Sequence, residues 1–307
     1  MRVTHKFLFV AVMFAGMLAT SCSEDKVTPQ AKSIVEIASA DPQFSTLVAA
    51  LTKAELVTTL QGTGPFTVFA PTNTAFAALL SDLGVSSLDA LSKEALTPIL
   101  LNHVIVGQFK STDLSTSYVS TASNTGPDDN LLDLYIEVGS GVNINSSVSV
   151  TSADIIASNG VIHVVDKVIL PTDVVDIAAN NDEFTSLVDA LGSAEGDLVS
   201  VLKGDGPFTV FAPVNSAFAD IAGVVAGLDA AQLADVLKYH VVSGANVRST
   251  DLTDGMTVTT LSGTFTVNIS GGTVTLTDES GATVNVVATD IQGTNGVVHV
   301  IDKVLLK

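Results

Sequence analysis

The sequence predicts an α+β protein in which one folding module is written twice. Three observations carry that expectation. Two blocks of sequence recur in the same order, apolar residues at helical spacing precede each copy of the first block, and each copy closes in strands of alternating polarity.

The first block, Gly64-Pro-Phe-Thr-Val-Phe-Ala-Pro71-Thr-Asn73-Thr-Ala-Phe76, returns as Gly206-Pro-Phe-Thr-Val-Phe-Ala-Pro213-Val-Asn215-Ser-Ala-Phe218, identical at 11 of 13 positions. The second, Asn159-Gly-Val-Ile-His163-Val-Val-Asp166-Lys-Val-Ile-Leu170, returns as Asn295-Gly-Val-Val-His299-Val-Ile-Asp302-Lys-Val-Leu-Leu306, identical at 9 of 12. The offsets are 142 and 136 residues, so the repeat is a duplicated domain and not a solenoid unit. This places the first module at residues 33–170 and the second at 171–307, with Pro171-Thr172 as a short joint.

Within each module the reading begins helical. Asp41-Pro42 predicts an N-cap followed by proline at the first helical position, and Phe44, Leu47, Val48 and Leu51 then share one helical face. Residues 66–70 read as a buried strand stopped by Pro71, with Asn73 expected to cap the next helix. Residues 264–269 and 273–277 alternate around Gly271-Gly272, and Asn159-Gly160 or Asn295-Gly296 is expected to supply a tight hairpin turn.

The two duplicated blocks resemble the first and second signature segments of fasciclin-like (FAS1) domains, and the resemblance covers nearly all of residues 33–307. It implies two tandem FAS1 modules, each a wedge or sandwich of β-strands with helices packed around it, acting in adhesion or matrix contact. Tyr239-His240 is similar to the family's central Tyr-His motif, which has been linked to adhesion in animal members; the first module departs from it with Asn102-His103.

The N-terminus reads as an export signal over residues 1–21: Arg2 and Lys6, an apolar run at residues 7–19, then small residues up to Cys22, the single cysteine. That run is 13 residues long, short of the roughly 20 a spanning helix needs, and no other stretch comes closer. Ala19-Thr20-Ser21-Cys22 resembles a bacterial lipobox, which implies lipidation of Cys22 and a tether over residues 22–32. The expected location is the bacterial outer membrane, reached by export and held by that lipid. Ser23-Glu24-Asp25 resembles surface-export signals of Bacteroidetes lipoproteins, with periplasmic retention as the alternative.

Removing residues 1–21 leaves 13 − 2 = 11 Lys plus Arg against 32 Asp plus Glu, a net charge of −21. Such a chain is repelled by nucleic acid, and Arg248 is its only arginine, so no guanidinium cluster can form. One cysteine excludes internal disulfides, leaving apolar burial to hold the fold.

Four histidines remain, in two equivalent pairs. His103 and His240 continue the apolar faces of Leu96, Ile99, Leu100 and of Leu233, Val236, Leu237 at helix ends, and read as buried imidazoles bonded to backbone or a carboxylate. His163 and His299 alternate with valines in central strands, three positions from Asp166 and Asp302 on the opposite face, which disfavours a His-Asp pair. No metal or cofactor site is expected: two histidines and no cysteine per module fall short of a zinc set, and residues 126–130 lack the ligand alternation of a calcium loop. Neither a Gly-x-Ser-x-Gly elbow nor a phosphate loop is present, so the protein is expected not to be an enzyme.

The candidate binding residues are Tyr239, His240, Asn102 and His103, together with Asp113 and Asp251 of the repeated Ser-Thr-Asp-Leu turns. The expected function is surface-anchored adhesion to a protein or polysaccharide of the cell surface or matrix. An envelope spacer, and a sugar- or ester-active hydrolase working between modules with paired carboxylates, are the alternatives.

Overall fold

A computed structural model of the chain describes residues 31–307, so the signal segment, Cys22 and nearly all of the tether lie outside the described residues. Residues 32–307 form one compact unit. It holds two seven-stranded sheets, one per repeat.

In the first repeat the strands are β1 (Phe66–Pro71), β2 (Val104–Val106), β3 (Ser117–Ser120), β4 (Asp133–Val138), β5 (Val142–Ile144), β6 (Val148–Ala157) and β7 (Gly160–Val165), in the spatial order β2-β1-β7-β6-β5-β4-β3. The second repeats that order with β8 (Phe208–Pro213), β9 (Val241–Ser243), β10 (Thr257–Thr260), β11 (Gly263–Ser270), β12 (Thr273–Thr277), β13 (Thr283–Gly293) and β14 (Gly296–Ile301). β1 and β7 are the two recurring sequence blocks, and they lie side by side in parallel, as do β8 and β14.

Both faces of the parallel pair are covered, which is why β7, β8 and β14 are buried at every position and read as continuous apolar runs. Val68, Ala70, Ile162 and Val164 face the helices, against Phe44, Leu47, Leu51 and Phe76. Phe69 and Val165 face the other way, against Leu134, Ile136 and Ile144 of β4 and β5. Register shifts within β6, at residues 150–155, let the sheet turn across itself, so each module is a wedge with one core under its helices and another between its strands.

The helical starts follow local chemistry. Ser33 and Glu36 form a reciprocal capping box on helix Ile34–Ala40, and Asp41 caps the 3₁₀ turn Pro42–Phe44 as expected. Asn73 does not cap its helix: Thr72 does, through its hydroxyl on the Ala75 N–H at 3.3 Å. Asn73 instead reaches back to the start of helix Ser45–Lys53 and the 3₁₀ turn before it, accepting from the Thr46 N–H at 2.9 Å and donating to Pro42 O at 2.9 Å. Asn215 makes the same pair of bonds to the Ser186 N–H and Asp182 O, at 2.9 and 2.7 Å.

The Gly271-Gly272 hairpin forms as expected, with φ of 58° and 83° at the two turn residues. The Asn-Gly turns are shifted by one position. Ala157 pairs with Gly160 and Gly293 with Gly296, so the turn residues are Ser158-Asn159 and Thr294-Asn295, and each glycine opens its strand. The glycine is needed for backbone approach: a Cβ on Gly160 would lie 2.0 Å from Phe66 O, and one on Gly296 2.2 Å from Phe208 O. Buried Asn159 accepts from the Ile34 N–H at 3.0 Å and donates to Leu60 O and Gly62 O at 2.8 and 2.9 Å, stitching the first helix to the sheet.

The two modules meet through polar contacts. The buried Asp133 carboxylate at the start of β4 accepts the Gln292 N–H of β13 at 2.7 Å and the Ser120 hydroxyl at 2.7 Å. The Asn181 amide donates to the Tyr118 hydroxyl at 3.0 Å, and the Ser146 hydroxyl to Asn180 O at 2.6 Å.

Replacing Gly296 with alanine forces the parallel pair apart at its first position. Gly296→Ala is expected to lower stability by at least about 2 kcal/mol, read as a drop in denaturation midpoint, whereas alanine at Gly223, where an added Cβ meets nothing within 4 Å, leaves it nearly unchanged.

Candidate binding site

The structure places Tyr239, His240, Asn102 and His103 inside the modules, each exposed by 2% or less. His103 follows the end of helix Lys93–Leu101 and His240 the end of helix Ala230–Lys238. Nδ1 of His103 lies 2.7 Å from Ile99 O, one turn back, and its Nε2 accepts the Ile169 N–H at 2.8 Å. His240 repeats this with Val236 O at 2.8 Å and the Leu305 N–H at 2.9 Å. Because a backbone N–H occupies Nε2, the ring proton must sit on Nδ1 and point at the carbonyl. Each ring is neutral and ties a helix end to the segment that follows the last strand.

Burial dominates the protonation of these rings. Desolvation pushes both His103 and His240 down to about 4, against the pull of the carbonyl on Nδ1. His163 and His299 sit in β7 and β14 and face the opposite core. Their Nε2 atoms donate to Phe109 O at 2.9 Å and Val247 O at 2.8 Å, and their Nδ1 atoms accept from the N–H groups of Asp154 and Asp290 at 3.3 Å. His299 stacks on Phe211 with ring centroids 5.3 Å apart, and burial pushes its pKa down as well.

Tyr239 is held at both lone pair and proton: its hydroxyl donates to Thr264 O at 2.6 Å and accepts the Glu279 N–H at 3.1 Å. Asn102, its counterpart, is buried with neither side-chain oxygen nor nitrogen bonded. Contact between these four side chains and a partner would require the module to open.

Asp113 and Asp251 are exposed, but each carboxylate is used locally, accepting the N–H of Lys110 at 3.0 Å and of Arg248 at 2.9 Å. Two further aspartates that sequence reasoning passed over hold these turns from the sheet side. Asp154 accepts the N–H and hydroxyl of Ser111 at 2.8 and 2.6 Å, and Asp290 does the same for Ser249, its N–H bond being 2.7 Å long. Those bonds hold the Asp154 carboxyl below the usual carboxylate range. Both aspartates have left-handed backbone, φ 63° and 65°, at the irregular stretch of β6 and β13. The only sequence signal for them was their matching offset from the repeated histidines. The Ser-Thr-Asp-Leu turns are thus joined to the His163 and His299 end of each module, through residues 154 and 290.

The seam between modules is closed rather than cleft-like at Asp133, whose carboxyl is raised by desolvation against the stabilising Gln292 N–H and Ser120 hydroxyl. Gly126 of the acidic loop lies against Gln292, where an added Cβ would be 2.9 Å from Cγ. Among the described residues no three His, Cys, Asp or Glu side chains converge as a metal site would need.

Two α+β modules of like topology, each locked by a pair of buried histidines, define a tandem-domain protein. A Fasciclin domain model matches residues 42–171 and again 182–307, and the chain belongs to that family. Protein sll1483 of Synechocystis is 44% identical over 145 residues, 47% of this chain and 76% of that protein. Human periostin is 30% identical over 254 residues, 80% of this chain but 29% of periostin, and porcine transforming growth factor-beta-induced protein ig-h3 is 30% identical over the same length, 35% of its own. The chain therefore spans about a third of these animal relatives. A solved FAS1 domain pair from the insect cell adhesion molecule fasciclin I aligns with 19% identity and a TM-score of 0.48, over 84% of this chain and 92% of that one.

The two deeply buried imidazoles predict an acid-labile fold. Their folded pKa of about 4 lies below the unfolded value of 6.5, so the neutral ring contributes stability that is complete above pH 6.5 and is lost as pH falls toward 4. The loss is on the order of 3 kcal/mol per histidine. Denaturation midpoints should fall across that window, and His240→Gln, which takes up no proton, should show a shallower acid dependence than the parent.

Proposed function

We propose that this chain is a binding protein of the bacterial cell envelope, tethered by a lipid on Cys22, whose paired fasciclin modules hold a protein or polysaccharide of the cell surface or matrix. The observation that carries the reading is where the polar chemistry has gone. All four histidines spend both ring nitrogens on backbone partners, and Asp154 and Asp290 are spent on the repeated turns. What each module offers outward is shape and exposed side chains on a rigid frame, the equipment of a binding surface. Membership of the family that includes periostin and ig-h3 supports the same direction.

The charge limits the partner. At a formal −19 for the whole chain, a polyanion such as nucleic acid is repelled, and a neutral or basic surface is favoured. Among the described residues no helix is long and apolar enough to cross a membrane, so membrane attachment in this reading falls to the lipid. Two modules fixed to one another add avidity where each carries a weak site.

Two measurements test the proposal. Metabolic labelling with a fatty acid should mark the wild type and not Cys22→Ser, which should leave the membrane fraction; equal labelling of both ends the anchoring reading. The Cys22→Ser chain should be retained on surface or matrix fractions more strongly than an unrelated globular protein of equal charge, and equal retention ends the binding reading.

A further inference from the structure

We infer that a groove on the helical side of the second module receives a lysine side chain of a protein partner. The inference deepens the binding reading above and rests on it. Its basis is a comparison of the two copies, because the first module fills the same place with a lysine of its own.

Helices Ser45–Lys53 and Thr185–Ser193 correspond residue for residue, a match pinned by the Asn73 and Asn215 bonds to the N–H groups of Thr46 and Ser186. Lys53 thus corresponds to Ser193, and Ala49 to Asp189. In the first module the Lys53 ammonium crosses from its helix to donate to Leu88 O at 3.2 Å and Asp89 O at 2.9 Å. Counting back from the equivalent N-caps, Ser92 and Asp229, those carbonyls correspond to Val225 O and Ala226 O. The same turn closes in each copy, by the Leu91 N–H on Leu88 O and the Leu228 N–H on Val225 O, both at 3.1 Å.

In the second module nothing crosses from position 193. The Ser193 hydroxyl turns back to Asp189 O at 2.9 Å. The helix that runs Asn73–Asp82 in the first module ends at Asp220 in the second, and a separate short helix, Ala222–Val225, leads into the turn. What remains is a groove of about 510 Å³, lined by Phe218 and Leu233 together with Val225, Ala226, Asp189 and Ser193.

The chemistry of the missing occupant can be read from Lys53: an unbranched alkyl chain that lies on apolar surface and ends in a primary ammonium. The groove supplies both halves. Phe218 and Leu233 take the methylenes, while the carbonyls of residues 225 and 226 and the Asp189 carboxylate surround the charge. Asp189 stands where the first module has Ala49, so the second copy carries an acid that its sister lacks, and no Lys or Arg lines the groove. The strongly acidic chain draws a basic partner toward it.

The test titrates the mature Cys22→Ser chain with N-acetyl-lysine N-methylamide and follows backbone amide resonances. Shifts confined to residues 186–193 and 222–233 are expected, saturating in roughly the millimolar range for so small a probe. N-acetyl-norleucine N-methylamide, which keeps the chain and lacks the ammonium, should shift them little. Ser193→Lys, which restores the internal lysine, should weaken probe binding by at least about tenfold while leaving the denaturation midpoint equal or higher, and Asp189→Ala should weaken it severalfold. Shifts scattered over the acidic surface, equal response to both probes, or indifference to Ser193→Lys overturns the inference. Ser193→Lys also separates it from the broader reading: retention on surface fractions that survives this change, with the lysine probe silent, leaves the protein a binder and removes the groove as its site.

Discussion

The interaction on which the rest depends is the parallel pairing of the two sequence blocks, β1 with β7 and β8 with β14. Parallel strands need long crossovers, and here the crossover carries two α-helices in the first module and three in the second, then a short strand and most of the meander before the chain returns. Six consecutive registered pairs, buried on both faces, commit everything around them: the helices must cover one side and the turned-over half of the sheet the other. The pair also forces polar atoms inside. Its histidines reach out of the stack to Phe109 O and Val247 O, so the buried pair also helps hold the loop that leads into each Ser-Thr-Asp-Leu turn.

Much of this was legible in sequence because the repeat samples the same constraints twice. The strand at Phe66, the proline stop and the glycine hairpin at Gly271-Gly272 are all local effects, set by residues within a few positions. Asn73 was misread for the converse reason. Its position before a helical run is what a cap looks like, but its side chain serves the 3₁₀ turn and the helix start some thirty residues earlier, and Thr72 takes the cap. Asn159 is a turn residue, as its glycine neighbour suggests, but spacing does not show that its buried amide also holds a helix start and two carbonyls from far along the chain. The site residues divide in the same way. That the histidines continue apolar faces was visible; that Tyr239 is sealed by Thr264 and Glu279, or that Asp154 and Asp290 hold the turns, depends on strand pairing that no spacing reveals.

Divergence between the copies is compensated inside each one. A Cβ on Gly263 would meet the Tyr239 ring at 2.9 Å, so the tyrosine requires the glycine. Matching bonds, the Ala122 N–H on Val104 O and the Leu261 N–H on Val241 O, align the two sheets here and put Leu132 in the place of Gly263. The first module thus supplies its bulk from Leu132, just before β4, and keeps a short Asn102 where the second has tyrosine, both buried to 1% exposure. The exchange moves the bulk from one residue of the pair to the other and loses two hydrogen bonds, since Asn102 has none to replace those of the Tyr239 hydroxyl; an unpaired buried amide costs about 1–3 kcal/mol.

The same alignment shows that residues 124–131 are extra in the first module, and this insertion brings Gly126 against Gln292. On the other side of the seam the second module is specialised in turn. The Gln292 side chain donates to Gly296 O at 2.8 Å and accepts from Arg248 Nη1 at 3.0 Å, leaving its N–H for Asp133; the corresponding residue of the first module, Ile156, is 54% exposed. A head-to-tail contact between identical faces would propagate from chain to chain. Here the two faces differ: the loop and Asp133 exist only on the first module, and Gln292 with Arg248 only on the second. Each is consumed by the other, so the duplication closes on itself as a pair with a fixed internal geometry, and whatever the protein binds meets two modules held at one spacing and one angle.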